Sequence, residues 1–262
     1  MLRLIDGGQS LSVAFPLFDS VLDRTGRRQI LRLAALVAAT RGEVIAEQGE
    51  IGRDFLVLAD GIVKLWKVLP NGRRQITAFR AAGDLISLHR RGTPWPVTAQ
   101  AVSDCQFFKL EWEALRRLAD RYPEIDQALC DLASDEISAL QDRLLTLGCK
   151  TVEEKLASFV LEFCRPSGAP SGLGREIHLP MRRPEIAEYL GLTTESVSRE
   201  FSRLKRESIL SMPRPSRIVV LNRPALEALA MGLQGAAPQE KSPSRFASLG
   251  GISSELQGSN TV

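Results

Sequence analysis

The sequence predicts an α+β protein with three parts: an N-terminal β-barrel or jelly roll, a long helix, and a C-terminal winged helix-turn-helix. Three observations carry this. From Arg41 to Leu110, short alternating or apolar runs are broken by Gly49, Gly52, Gly61, Asn71-Gly72 and Gly83-Asp84, the texture of a barrel of short strands. From Pro123 to Leu147, apolar residues recur at helical spacing. From Pro184 to Lys205, PEIAEYLGLTTESVSREFSRLK forms two short amphipathic segments around Gly191, the signature of two helices joined by a tight turn. The predicted boundaries are 1–122 for the barrel domain, 123–148 for the long helix, 149–231 for the winged domain and 232–262 for a disordered tail.

Before Arg41 the pattern is mixed. Phe15, Leu17 and Phe18 are candidates to dock on a core, and Val21 through Leu36 has helical periodicity with Arg24, Arg27, Arg28 and Arg32 on the other side. Within the barrel region, Asn71-Gly72 is the strongest hairpin signal. Glu111 to Tyr122 reads as a short helix, and Pro123 opens the long one. There Ile125, Leu129, Leu132, Ile137, Leu140, Leu144 and Leu147 form a narrow, heptad-like seam, which suits either a helix packed on its own barrel or, preferred here, a homodimer interface. Gly148 is expected to interrupt this helix. Thr151, with Glu154 three residues on, forms a capping box for the next one. Glu176 to Leu179 is an expected strand. SILSMPRPSRIVVLN reads as two strands around a basic turn, Arg214 to Arg217, forming a wing. The tail after Gly235 is rich in Gly, Ser, Pro, Gln and Asn with few apolar anchors.

Composition sets the class. A net charge of +3 over 262 residues is mild. Its distribution is informative: the stretch from Cys149 to Pro224 carries 13 Arg and Lys against 9 Glu, so the positive surplus lies around the two helices, where it suits phosphate contacts. The four cysteines (Cys105, Cys130, Cys149 and Cys164) have neither zinc-site nor disulfide-framework spacing. A reduced, cytoplasmic setting follows. No apolar run reaches the roughly 18 residues of a membrane span, and no signal-peptide core is expected at the N-terminus.

The second segment of the helix-turn-helix carries the chemistry. Val197, Phe201 and Leu204 mark its buried side, whereas Glu195, Ser198 and Arg199 share the opposite side near its N-terminal end. That end of a recognition helix enters the major groove of double-stranded DNA. Arg199 can donate two bonds to guanine, Glu195 can accept from a cytosine amino group, and Ser198 can meet a thymine edge or a phosphate. Arg183, Thr193, Arg203 and Lys205 are candidate phosphate contacts. No Gly-rich phosphate loop, metal-spaced His/Cys/Asp set or nucleophile–base pair suggests an enzyme.

The order of parts, with QITAFRAAGDL (75–85), KTVEEKLASFVL (150–161) and IAEYLGLTTESVSREFSRLK (186–205), resembles the CRP/FNR family of bacterial transcription regulators over roughly residues 15 to 231. The barrel would then be of the cyclic-nucleotide-binding type. The pattern E-x-x-S-R at Glu195, Ser198 and Arg199 resembles the FNR/FixK branch: cyclic-AMP readers carry Arg and Gly where this chain has Thr194 and Ser198. The resemblance implies a homodimeric regulator, expected to be an activator, on two-fold TTGAT-like half-sites. It also implies contact with RNA polymerase near the strand Gln75 to Phe79, with Ile76 and Thr77 carried over.

Against that family, the sensor stands out by what it lacks. GDLISLHRRGTPWPVTAQAV has Ser87 or Leu88 at the usual Glu position and Trp95-Pro96 where an Arg pair clamps the cyclic phosphate. Without that guanidinium, phosphate is poorly held. No cysteine precedes Cys105, and Phe108 matches the barrel cysteine of the cluster-binding members, so an iron–sulfur cluster is not expected. No cofactor is expected. The alternative is a haem- or thiol-gated regulator sensing nitric oxide, oxygen or redox state, with His89 as the sensor-domain histidine or with Cys130 and Cys149 as the thiols.

Overall fold

The computed structural model describes residues 3–4, 18, 21–86, 92–164 and 176–233. Phe15, Leu17, His89 and the tail from 234 lie outside the described residues. β1 (Arg3–Leu4), β2 (Ala35–Ala39), β8 (Cys105–Glu111) and β4 (Asp54–Asp60) form one antiparallel sheet in that order. β3 (Val44–Ala46), β7 (Thr98–Ala101), β5 (Val63–Val68) and β6 (Arg74–Arg80) form the second. The alternation read in the sequence supplies their inner faces: Val37, Leu56, Leu58, Val63, Leu65 and Phe107 share one buried cluster. At Asn71-Gly72 the β5–β6 hairpin turns, with Gly72 at φ 80°. Gly61, at φ 89°, is obligatory for a second reason: a Cβ there would stand 2.5 Å from the Asp104 carbonyl oxygen.

The helix expected from Val21 to Leu36 is shorter. α1 spans Arg24–Leu33, and Leu36 belongs to β2, directly opposite Phe108. Pairing with β8 from Ala35 to Ala39 outweighs the helical periodicity there. α2 (Trp112–Ala119) and α3 (Glu124–Cys149) follow the barrel. α3 runs through Gly148 instead of stopping at it, because a glycine in the last turn lowers helix stability only modestly. α4 (Val152–Glu162) has the expected capping box, with Glu154 N–H donating to Thr151 Oγ1 (3.3 Å) and Thr151 N–H to Glu154 Oε2 (3.1 Å).

The seam on α3 divides into two parts. Ile125 is fully buried with Phe18, Leu115 and Leu118 in its own barrel domain, and Leu129 and Leu132 are half-buried against that cluster. Ile125 is therefore a core residue and not an interface residue, because the helix starts its run packed on the barrel. Further along, Ile137, Leu140 and Leu144 are exposed, Leu144 by 70%. Leu147 is half-buried, close to Gly191.

The winged domain does not hang free of the barrel. It comprises α4, β9 (Glu176–His178), α5 (Arg183–Leu190), α6 (Thr194–Arg206), β10 (Leu210–Arg214), β11 (Arg217–Val220) and α7 (Arg223–Ala230). β6 is the edge strand of its sheet, and α5 packs against it, covering an edge that would otherwise invite pairing. One buried cluster joins Ile76, Phe79 and Val102 of the barrel to Phe159, Ile186, Tyr189, Val197, Phe201 and Leu204 of the winged domain. The Phe79 and Tyr189 rings meet edge-on with centroids 5.0 Å apart. Within this boundary, Lys64 Nζ donates to Glu185 Oε1 at 2.7 Å, and the two side chains are only 7% and 8% exposed.

Removing one partner of such a pair strands a buried charge. Lys64→Met is expected to lower stability by about 3–5 kcal/mol, and Lys64→Met with Glu185→Leu to restore most of it. Burial alone would raise the Glu185 pKa. Hydrogen bonds from Lys64 and the Arg182 N–H outweigh it and hold the carboxyl below its ordinary 4.5. A depressed folded-state pKa gives stability that is present above the unfolded value and lost as pH falls through the folded one. Urea unfolding at neutral and acid pH should therefore show a smaller acid loss in the double variant than in the unmodified chain.

Candidate nucleic-acid interface

α5 ends at Gly191, which takes the left-handed conformation (φ 63°, ψ 39°), and its amide closes back on Ala187. The chain thereby re-aims within three residues. Thr193 then caps α6, its Oγ1 accepting from Ser196 N–H at 3.1 Å. Val197, Phe201 and Leu204 bury one side of α6, and Glu195, Ser198 and Arg199 stand together on the exposed side. The three predicted base readers thus share one face near the helix N-terminus.

Glu195 and Arg199 form an i,i+4 ion pair in which both side chains are more than two-thirds exposed. Solvent-exposed pairs of this kind add little to stability. The pair engages one Nη of the guanidinium and leaves the other N–H groups of its fork uncommitted. Ser198 Oγ donates to the Thr194 carbonyl at 2.8 Å and keeps its lone pairs for another donor. The face can accept from an amino group and donate bidentately to a guanine edge.

Two predicted phosphate contacts have other employment. The Arg183 guanidinium lies 3.6 Å from the Phe201 ring centroid and 3.7 Å from Met212 Sδ. Burial draws its pKa down to about 10, so it stays cationic at neutral pH but fastens α5 to α6 instead of facing outward. Arg203 is held by Glu200 (2.6 Å), Glu207 (2.9 Å) and Glu153 (3.4 Å). The Glu200 hydrogen bonds dominate and push its pKa up. A guanidinium neutralised on three sides has no charge to spare for a phosphate. Thr193 and Lys205 remain exposed, and Lys205 has no ion pair among the described residues. Sequence reasoning missed Arg182 and Arg206, both exposed. Arg182 is the N-cap residue of α5, followed by Pro184 in its first turn, so its exposure follows from its place at the helix start.

The wing forms as expected: β10 and β11 pair around Arg214 to Arg217, and β9 adds a third strand. Arg217 is paired with Glu176 at 3.2 Å, whereas Arg214 is exposed.

The strand proposed to touch polymerase is differently placed. Ile76 is fully buried in the cluster shared with the winged domain, and Thr77 Oγ1 donates to the Leu65 carbonyl at 3.2 Å. Ile76 cannot present itself to another protein because α5 covers its strand. In the barrel, Trp95 is buried with Leu56, Ile86, Ala99 and Phe107, so its indole occupies interior space. Cys105 is buried, and burial pushes its thiol up to about 11. Burial also raises the half-buried Cys164. Cys130 and Cys149 are exposed on α3. Among the described residues, no group of three His, Cys, Asp or Glu side chains is placed to hold a metal, and no helix is long and apolar enough to cross a membrane.

Comparison with known proteins agrees with this geometry. A family model for the Crp-like helix-turn-helix domain matches residues 154–229, and one for the cyclic nucleotide-binding domain matches residues 36–122. The chain is 34% identical to the nitrogen fixation regulation protein FixK of Azorhizobium caulinodans over 74% of this chain and 77% of that one. It is 32% identical to the fumarate and nitrate reduction regulatory protein of Vibrio cholerae over 84% and 86% of the two chains. Its fold is similar to that of FixK2 from Bradyrhizobium japonicum, with a TM-score of 0.68 and 31% identity over 75% of this chain and 96% of that one. With this barrel, this reading face and these relatives, the chain belongs to the CRP/FNR family and is a DNA-binding transcription regulator of its FNR/FixK type, not an enzyme.

Proposed function

We propose that the protein binds two-fold DNA with TTGAT-like half-sites as a homodimer and activates transcription without a bound cofactor. One observation supports the reading most: the exposed face formed by Glu195, Ser198 and Arg199, where the cyclic-AMP type would have Arg and Gly in place of Thr194 and Ser198. Arg199 reads guanine, Glu195 a cytosine amino group, and Ser198 a thymine edge or phosphate. Thr193 and Lys205 fix register on the backbone.

The dimer forms along the distal part of α3, where Ile137, Leu140 and Leu144 lie exposed on one stripe. Two such helices side by side would bury that stripe and place two copies of α6 on successive half-sites. Trp95, buried in the barrel interior, supports the effector-free reading, since the family resemblance puts the Arg pair of the phosphate clamp at Trp95-Pro96. Contact with RNA polymerase then excludes the buried Ile76 and keeps the half-buried Thr77 beside it.

Thiol gating is the second reading, favoured by the exposure of Cys130 and Cys149 on the same helix. A maleimide probe on the native protein should label both and spare Cys105. Labelling that abolishes DNA binding would favour gating over the cofactor-free scheme.

The direct test of base reading is Arg199→Ala. It should weaken binding to a TTGAT-type site by about 1–3 kcal/mol and relax choice at one base pair. An unchanged preference over a scrambled site, measured by fluorescence anisotropy, would contradict the assignment.

A further inference from the structure

A cleft of about 440 Å³ lies between the barrel and the start of α5, away from both the barrel interior and the α6 reading face. Four cations line it from four places in the chain: Arg41 in the turn before β3, Lys64 on β5, Arg74 on β6 and Arg182 ahead of α5. Gln100 on β7 also lines it. The lining carboxylate, Glu185, is already committed to Lys64, to the Arg182 N–H and, at 3.5 Å, to one edge of the Arg182 guanidinium, which is otherwise 70% exposed.

The acids nearby leave a surplus. Glu188 reaches Arg74 at 3.4 Å, and Asp104 accepts from the Arg41 backbone N–H at 2.9 Å. The Arg41 guanidinium is exposed and has no ion pair among the described residues. Lys64 is the telling group. Its ammonium has three N–H donors, and its side chain is nine-tenths buried. Glu185 is its hydrogen-bond partner among the described residues. A buried ammonium with spare donors on the wall of a basic cleft is the arrangement that a multiply charged oxyanion satisfies.

We infer that this cleft is an anion site that takes a phosphate group, bridging the barrel to the first helix of the helix-turn-helix. Phosphate fits the donor set better than a singly charged carboxylate: it offers more acceptor oxygens to the guanidinium forks of Arg41, Arg74 and Arg182. Two sources share that chemistry. One is a free phosphorylated small molecule. The other is the backbone of DNA flanking the site, which the first helix of such a motif crosses. The second source rests on the DNA reading above; the first does not.

Both arms use the full chain and its Arg41→Glu and Arg74→Ala variants. Arg41 is exposed in a turn, and unchanged circular dichroism would show that its variant folds. In the first arm, inorganic pyrophosphate is titrated by calorimetry at fixed ionic strength. In the second, affinity is measured for a two-fold site trimmed to about 20 bp and for the same site extended to about 40 bp. The inference predicts one of two results. Either pyrophosphate binds saturably and Arg41→Glu weakens it about tenfold or more, which assigns a free ligand, or the longer DNA binds about tenfold tighter and Arg41→Glu removes that gain while keeping short-site affinity. Arg74→Ala should act in the same direction. Absence of both effects, or persistence of either in Arg41→Glu, overturns the site. Failure of the unmodified chain to bind the short site overturns the DNA reading instead and leaves the pyrophosphate result to decide the inference.

Discussion

Tyr189, on the first helix of the helix-turn-helix, is gripped from three directions. The Phe79 ring of the barrel edge strand meets it edge-on. The Arg143 guanidinium of the long helix lies 3.4 Å from its ring centroid and donates to its backbone carbonyl. Its hydroxyl donates to Glu162 at 3.0 Å. Burial is the leading reason its phenol pKa is raised, with the Glu162 charge adding to it, so the hydroxyl stays a donor across the physiological range. A single residue thus ties barrel, long helix and winged domain together, and helps to fix the position of α5.

Everything at the DNA-facing surface depends on α5 being fixed. Gly191 sets the turn to α6, Arg183 fastens the two helices by stacking on Phe201, and Arg203 with its three glutamates ties α6 back to α4. These contacts consume cations that a reading of charge alone assigns to DNA. The cost is small, because phosphate contacts are interchangeable among exposed Lys and Arg, whereas the orientation of Arg199 is not. The barrel therefore acts first as a rigid platform: its edge strand β6, capped by α5, is part of the reading domain's support.

Much of this was legible in the sequence because it rests on local rules. The Asn71-Gly72 hairpin, the Thr151 capping box, the Gly191 turn and the exposed trio on α6 each follow from residue type at a fixed offset. What was not legible depends on long-range packing. Leu36 has helical spacing, yet β8 claims it as a strand neighbour. Ile125 and Leu144 carry the same seam signal, and only the fold separates a barrel contact from an exposed position. Ile76, 110 residues before Ile186 in the chain, shares a buried cluster with it, a pairing that no local pattern encodes. Arg183 and Arg203 look like Lys205 in composition, and their partners alone distinguish them.

In the cofactor-free scheme we propose, an arrangement held this firmly, with Trp95 inside the barrel, places the reading face without help from a ligand. The most direct measurement of that claim is the affinity of the purified protein, in air and with no added effector, for a two-fold TTGAT-type site against a scrambled one, with the mass of the complex determined alongside. The account predicts specific binding by two chains, tighter than on scrambled DNA by about 10³-fold or more. Equal affinity for the two DNAs, or specificity that appears only when a small molecule is supplied, would contradict it.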